Sequence, residues 1–308
     1  MLRLASYAPS SHNTQPWRFG VKDSTIYLFA DDSRALPIND PQDRELMISC
    51  GCALMNLRLT AASLGFDAKI QLFPDDLKPE LVASVLISET SFSPVQEGML
   101  ASYMDKRRTH RKPFKEETIP SLVRQDIEKA ANWEGIYLVW LDNGSHKHQI
   151  AELVQRGDEI QWNNPAWRHE LAAWIHAKQQ GDGLAVSRLL APLAKMAVRF
   201  LNMGKGIGAK DKQLVEGAPL LLLLCSQGDS REDWLCTGQA LQRLLQQGCQ
   251  HGLQSAYSNQ PIQIAALRQE LSELLGEAHP QILLRMGYPA QELPASSRRH
   301  LDDLLVSV

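Results

Sequence analysis

The chain has 308 residues, 44% of them apolar and 22% charged, and a net charge of −3, the make-up of an ordinary globular protein with no general pull towards nucleic acid or an anionic membrane. Its longest apolar run, 218–225, is far short of the ~20 residues that a bilayer crossing requires, and no basic–apolar–small leader opens the sequence. Five cysteines, an odd number scattered at 50, 52, 225, 236 and 249, make no disulfide framework and point to a reducing, cytoplasmic location.

This length is compatible with two domains of about 150 residues each. In chain order, residues 2–8 are expected to form a short helix ended by Pro9. Apolar–polar alternation over 18–31, broken at Lys22-Asp23-Ser24, predicts a β-hairpin. Residues 40–66 predict a long helix with Asp40 as N-cap, Pro41 at its first position and Gly65 near its C-cap. Within it, Cys50-Gly51-Cys52 lacks the spacing of a metal or redox pair and reads as small residues in a packed helix. Strands at 68–73 and 81–88 follow, then a connector and helix over 93–114, a helix at 120–132 and a strand at 135–142. From 146 to 212 the periodicity is helical, with no convincing strand. The last third predicts a strand at 218–226, a helix at 232–252, a short strand at 254–257, a helix at 262–275, a strand at 281–288 and a basic tail.

Two of these units match. Gly51, Ala53, Leu54, Leu57 and Gly65 recur as Gly238, Ala240, Leu241, Leu244 and Gly252, each 187 residues later, and Pro74 and Pro261 keep the same shift. The preserved order of helix, glycine, strand and proline favours an internal duplication over coincidence. Small residues permit close helix–helix approach, so the two helices are expected to pack across a pseudo-two-fold axis.

Two basic clusters stand out, "KRRTHRKPFK" at 106–115 and "SSRRH" at 296–300. Either alone is expected to be a solvated face. Brought together, their planar guanidinium forks and the Thr109 hydroxyl would seat a phosphate. The loop "APSSHNTQPWRF" at 8–19 supplies Ser10, Ser11, Asn13 and Gln15, whose donors and acceptors suit a uracil-like edge. Trp17 is expected to anchor the core where the strand begins. "GKGIG" at 204–208 lacks both the full dinucleotide fingerprint and the Lys-Ser/Thr of a phosphate loop, and reads as a flexible connector. His146 with His148, and His169 with His176 on one expected helix face, lack the partners of a metal site. No Gly-x-Ser-x-Gly elbow supports a serine hydrolase.

These motifs resemble the FMN-dependent nitroreductase family. The loop 8–19 is similar to that family's segment in which serine, asparagine and a Gln-Pro-Trp end contact FMN across a dimer interface. "RRTHRKPF" resembles its phosphate-binding arginine segment, with Arg107, Arg108, Thr109 and Arg111 in matching places. Residues 48–65 resemble its central dimerisation helix, and "GYPAQELPASSRR" its closing basic segment, which returns to the phosphate through Arg298 or Arg299. Here the serine-rich loop precedes the arginine segment, the reverse of the ordinary order and similar to the long single-chain Acg-type branch, in which two halves are fused.

The resemblance implies an α+β, nitroreductase-like fold. Halves at 1–95 and 96–308 would form an intramolecular pseudo-dimer with central helices and antiparallel-type sheets. The second half would carry a helical insertion or lid at about 146–212. One composite FMN site per chain follows, with Asn13 and Gln15 at the ring, Arg107, Arg108 and Arg298 at the phosphate, and Asn259 and Gln260 of "YSNQP" near flavin N5. It also implies a cytoplasmic oxidoreductase that passes hydride from NADPH or NADH through N5 to a small-molecule acceptor such as a quinone or nitroaromatic. No side chain is assigned as proton donor, and no metal, nucleic acid or membrane partner is expected. Trp162, Trp167 and Trp174 are expected to pack the insertion onto the body, the last two from one helix face. The alternative is a lid that shuts the flavin away, making the protein a flavin-sequestering module.

Overall fold

The computed structural model describes residues 1–89, 95–142, 144–177, 181–277 and 279–308, so the start of the connector expected from residue 93 lies outside the described residues. A single helical turn, α1 (Leu2–Ala5), leads into the loop that ends at Pro16. Trp17 and Phe19 are fully buried on β1 (Trp17–Lys22). The chain turns through Asp23, at φ 52, into β2 (Thr25–Ala30), as the alternation predicts. The long helix α2 (Arg44–Ser63) begins later than expected, with Asp43 at its N-cap. Asp40 still caps it from outside, its carboxylate accepting the Leu46 N–H at 2.9 Å. Gly65, at φ 78, then supplies the left-handed residue that closes the helix before β3 (Phe66–Leu72) and β4 (Leu81–Glu89). The four strands form an antiparallel sheet in the order β1-β2-β4-β3.

The second part repeats this path. After α3 (Val95–Leu100) and α4 (Ser121–Ala131) comes β5 (Ile136–Trp140). The insertion holds α5 (Gly144–Asn163), α6 (Pro165–Ala173), β6 (Ile175–Ala177), β7 (Leu184–Val186), α7 (Ala191–Phe200) and α8 (Gly204–Glu216). The path resumes with β8 (Leu220–Ser226), α9 (Arg231–Gln250), β9 (Gln254–Tyr257), the short α10 (Gln260–Gln263), α11 (Ala265–Leu275) and β10 (His279–Gly287). These strands form a second antiparallel sheet, β5-β8-β10-β9. Its order and its strand–strand–helix–strand–strand path match the first. Both central helices have 20 residues, and the ends of α9 at Arg231 and Gln250 each fall 187 positions after Arg44 and Ser63. Gly252, at φ 77, repeats Gly65.

The two helices meet through their matching glycines. A Cβ placed on Gly51 would lie 2.1 Å from the Leu235 carbonyl oxygen, and one on Gly238 would lie 2.0 Å from that of Ile48. The Cys52 thiol donates to the Gly238 carbonyl at 3.2 Å, and the Gln242 amide donates to Asn56 Oδ1 at 2.7 Å. A single apolar core joins α2 and α9 to one face of each sheet. The other face of the second sheet packs on α5, α8 and α11 through Leu221, Leu223, Ile150, Val215 and Leu271. Burial on both faces explains why β8 reads as an unbroken apolar run. Among the described residues α2 alone is long and apolar enough to cross a bilayer, and it lies inside the core.

Four further details depart from the sequence-based expectations. The insertion contains the small parallel pair β6–β7. "GKGIG" forms the first turns of α8, with Gly204 close against Trp162 and Gly208 close against Gln155 of α5. The tail ends in β11 (Leu305–Val306), which pairs parallel with β1. Trp174 and His176 also lie beyond the end of α6, so neither shares a helix face with Trp167 or His169.

Candidate functional site

The loop 8–16, the arginine segment, the insertion, the segment after β9 and the basic tail converge on one site. Within the loop His12, Asn13 and Gln15 all have positive φ, at 52, 56 and 52. Asparagine adopts this conformation readily, whereas histidine and glutamine do so at a cost, so the surroundings must hold the loop in place. Ser10 Oγ accepts the Gln15 N–H at 2.9 Å. The fully buried Gln15 amide donates to the Gly181 carbonyl at 2.9 Å and accepts the Arg299 N–H at 3.0 Å. Asn13 donates to the Ser297 and Gly183 carbonyls at 3.2 and 3.3 Å, and its Oδ1 accepts from Arg298 at 3.1 Å. Backbone of the insertion and side chain and backbone of the tail thus take up the amides of Asn13 and Gln15, the two side chains expected at the ring.

The arginines divide into two roles. Arg299 ties the loop down: it donates to the Gln15 carbonyl at 3.2 Å and lies 3.7 Å from Asp31. Arg107, Arg108 and Arg298 form a cationic cluster in which none makes an ion pair with a described carboxylate. Arg108 is held by the Leu293 carbonyl at 3.2 Å, and its backbone N–H by Gln254 at 2.7 Å. Arg298 reaches the Tyr7 carbonyl at 3.1 Å. Burial, reinforced by Arg107, lowers the pKa of Arg298. Nε and Nη1 of the buried Arg107, and Nε of Arg298, have no hydrogen-bond partner. Buried unpaired guanidinium donors are costly, and a phosphate offers the acceptors they lack. Thr109 is fixed beside them by its bridge to Ser255.

The opposite wall centres on Glu45, in the first turn of α2 and buried. Its carboxylate accepts from Ser11 Oγ, from Asn259 at 3.1 Å and from Gln263 at 3.0 Å. Asn259 also accepts the Leu283 N–H at 2.9 Å, so its amide braces the segment. Arg111 stands in the electrostatic field of Tyr257 and Asp211, and burial lowers its pKa. Burial also holds the His12 imidazole down at about 4, against the opposing pull of Glu45, so it is neutral at pH 7. His12 Nε2, the Tyr257 hydroxyl and Gln260 Oε1 are buried without a partner. His12, Glu45 and Tyr257 escaped the sequence reading. His12 stands inside the serine-rich loop, and only its burial among charged groups marks it out.

Gln260 also links the site to the insertion. Its Nε2 donates to Asp211 at 3.0 Å and to both oxygens of Asp158 at 3.3 Å. Burial, with Asp211 beside it, raises the Asp158 carboxyl to about 7. The native chain therefore keeps a proton that the unfolded chain has lost above about pH 4, and stability falls as pH rises from there to about 7. Asp158→Asn is expected to remove this fall, gaining about 2 kcal/mol on wild type between pH 5 and pH 8. Urea unfolding at the two pH values measures it, and parallel pH dependences in the two proteins would refute the assignment.

Among the described residues no group of three or more His, Cys, Asp or Glu side chains is arranged to hold a metal ion. A concavity of about 630 Å³ is lined by Val21, Phe66 and Leu86 at the first sheet, away from the arginines. No protein-family model matches the chain. It is similar to a Mycobacterium tuberculosis protein named "Putative NAD(P)H nitroreductase acg", with 27% identity over 309 residues, 98% of this chain and 93% of that one. A second M. tuberculosis protein, "Putative NAD(P)H nitroreductase Rv3131", is 29% identical over 315 residues, 99% of this chain and 90% of the relative. Among solved structures, an iodotyrosine deiodinase bound to FMN and 3-iodo-L-tyrosine aligns with 66% of this chain and 96% of its own, at 22% identity and a TM-score of 0.45.

Proposed function

We infer that this chain, similar over 98–99% of its residues to proteins named "Putative NAD(P)H nitroreductase", is an FMN-dependent NAD(P)H oxidoreductase acting on a small-molecule acceptor. The observation that carries this reading is the cationic cluster of Arg107, Arg108 and Arg298, with buried unpaired donor atoms on Arg107 and Arg298. Arg107, Arg108 and Arg298 would hold the FMN phosphate. His12, Tyr257 and Gln260 would offer polar atoms to the rest of the molecule, and Glu45 would keep Ser11 and Asn259 in register. Bound FMN would supply hydride exchange between a nicotinamide and the acceptor. The site is composite: its serine-rich loop belongs to the first sheet's half and its arginine segment to the second, which supports two fused halves, 1–95 and 96–308, serving one flavin.

A second reading has its own support. The insertion lies directly on the loop: Gly183 N–H donates to the Asn13 carbonyl at 3.2 Å, and Asp182 pairs with both Arg34 and His176. A Cβ on Gly181 would lie 2.6 Å from the Arg298 carbonyl oxygen. An insertion clamped this firmly would sequester a flavin and admit little substrate. The purified protein is expected to be yellow with one FMN per chain, and to bleach when mixed anaerobically with NADH or NADPH. A yellow protein that neither nucleotide bleaches supports sequestration, and a chain that takes up no FMN on reconstitution refutes both readings.

A further inference from the structure

The insertion presents an apolar face to solvent that neither the fold nor the flavin site uses. On α7, Leu193, Met196 and Phe200 follow helical spacing along one side, 67%, 60% and 64% exposed. Leu189 and Leu190 before the helix and Leu201 after it extend the patch, Leu189 being 92% exposed. The helix packs on α6 through its other side, where Ala191 is buried. A contiguous exposed patch of large apolar side chains marks a contact surface.

Charge identifies the partner. Residues 183–210 carry Arg188, Lys195, Arg199, Lys205 and Lys210 and no acidic residue, although the whole chain has a net charge of −3. Lys195 and Arg199 are four residues apart, forming a basic strip about 100° round the helix from Met196 and Phe200. Their stems can lie along the apolar side while the charged heads stay at its edge. An apolar face with a wholly basic flank suits the boundary of an anionic bilayer, where acyl chains cover the one and headgroups pair with the other. A symmetric contact between two copies would instead set this flank against itself, with no carboxylate in the segment to pair it.

We propose that α7, with the turn before it, is a docking element that seats the protein on a bilayer surface rich in anionic lipid. This departs from the expectation of no membrane partner, which rested on net charge and on the lack of a spanning segment; neither weighs a local surface. The inference stands apart from the redox reading, because its test measures binding. Full-length protein is sedimented with phosphatidylcholine vesicles, with and without a third of phosphatidylglycerol, at low and high salt. Binding to the anionic vesicles is expected to be at least tenfold tighter than to the neutral ones, and to weaken with salt. Met196→Ser with Phe200→Ser should reduce it at least tenfold. Lys195→Gln and Arg199→Gln should each reduce it about fivefold. Met196, Arg199 and Phe200 are exposed and Lys195 is half-buried, so an unchanged melting temperature serves as the folding control. Absence of binding, equal binding to both vesicles, or binding that survives the substitutions would overturn the proposal. So would self-association, seen by light scattering, that the same substitutions abolish.

Discussion

Gly238→Ala is expected to destabilise the protein by about 3 kcal/mol or more and to lower its melting temperature by roughly 5–10 °C. The added Cβ would stand 2.0 Å from the Ile48 carbonyl oxygen, 2.8 Å from Gly51 Cα and 2.9 Å from the Cys52 backbone nitrogen. All three are backbone atoms of the facing helix, so no side-chain rotation relieves them. The helices must separate, and separation loosens the Cys52–Gly238 and Gln242–Asn56 bonds that cross the interface. Helix propensity acts in the opposite sense, since alanine is favoured over glycine in a helix interior by about 1 kcal/mol. The sign of the measured change therefore decides whether close approach outweighs propensity. Gly206→Ala supplies the contrast: it lies in α8, is exposed and has no atom within 4 Å of the added Cβ. It should gain roughly 0.5–1 kcal/mol. Denaturant unfolding of both variants reads the two signs, and a neutral or stabilising Gly238→Ala would mean that the glycine contact does not set the helix spacing.

That contact was legible in the sequence because it is written as a pattern. Five positions repeating at one spacing, with small residues on one helical face, identify a crossing before any coordinates. The hairpin and the unbroken apolar strand β8 were legible for similar reasons, since burial on one face or two leaves alternation or a continuous run. What escaped the sequence carries no such period. Strands β6 and β7 have three residues each and β11 has two, too short for alternation to register. "GKGIG" reads as a breaker because exposed glycine weakens helices, yet Gly204 and Gly208 are one turn apart and let α8 close on α5. At the site, residue types could be listed but their partners could not. Asn13 and Gln15 look like free amides in sequence, and only the folded chain shows Gly181, Gly183, Ser297 and Arg299 taking them up. Glu45 looks like an acidic residue in the first turn of a helix, which is common, and becomes a hub only when Ser11, Asn259 and Gln263 arrive from three distant segments.

Arg107→Met is expected to weaken FMN binding about ten- to a hundredfold, the loss of roughly 1.5–3 kcal/mol from a charge-assisted contact. The same substitution should leave the flavin-free protein unchanged or more stable. In the free chain the buried Arg107 guanidinium has two unpaired donors and lies beside Arg298, so replacing it with an apolar side chain of similar length removes a desolvated charge and its repulsion. A purely structural arginine would behave oppositely, and Arg299 is the example. Its bonds to the Gln15 and Asp303 carbonyls and its proximity to Asp31 hold the loop and tail together, so Arg299→Met should lower the stability of the flavin-free chain. Riboflavin separates phosphate binding from ring binding, because it has the ring and lacks the phosphate. Arg107→Met should therefore weaken FMN binding while leaving riboflavin affinity nearly constant, and the rise in melting temperature produced by FMN should shrink accordingly. Titration of both flavins into wild type and variant, followed by flavin fluorescence, measures the difference. Equal losses for FMN and riboflavin, or unchanged FMN affinity in a destabilised protein, would place the phosphate elsewhere and make the arginine cluster a scaffold for the tail.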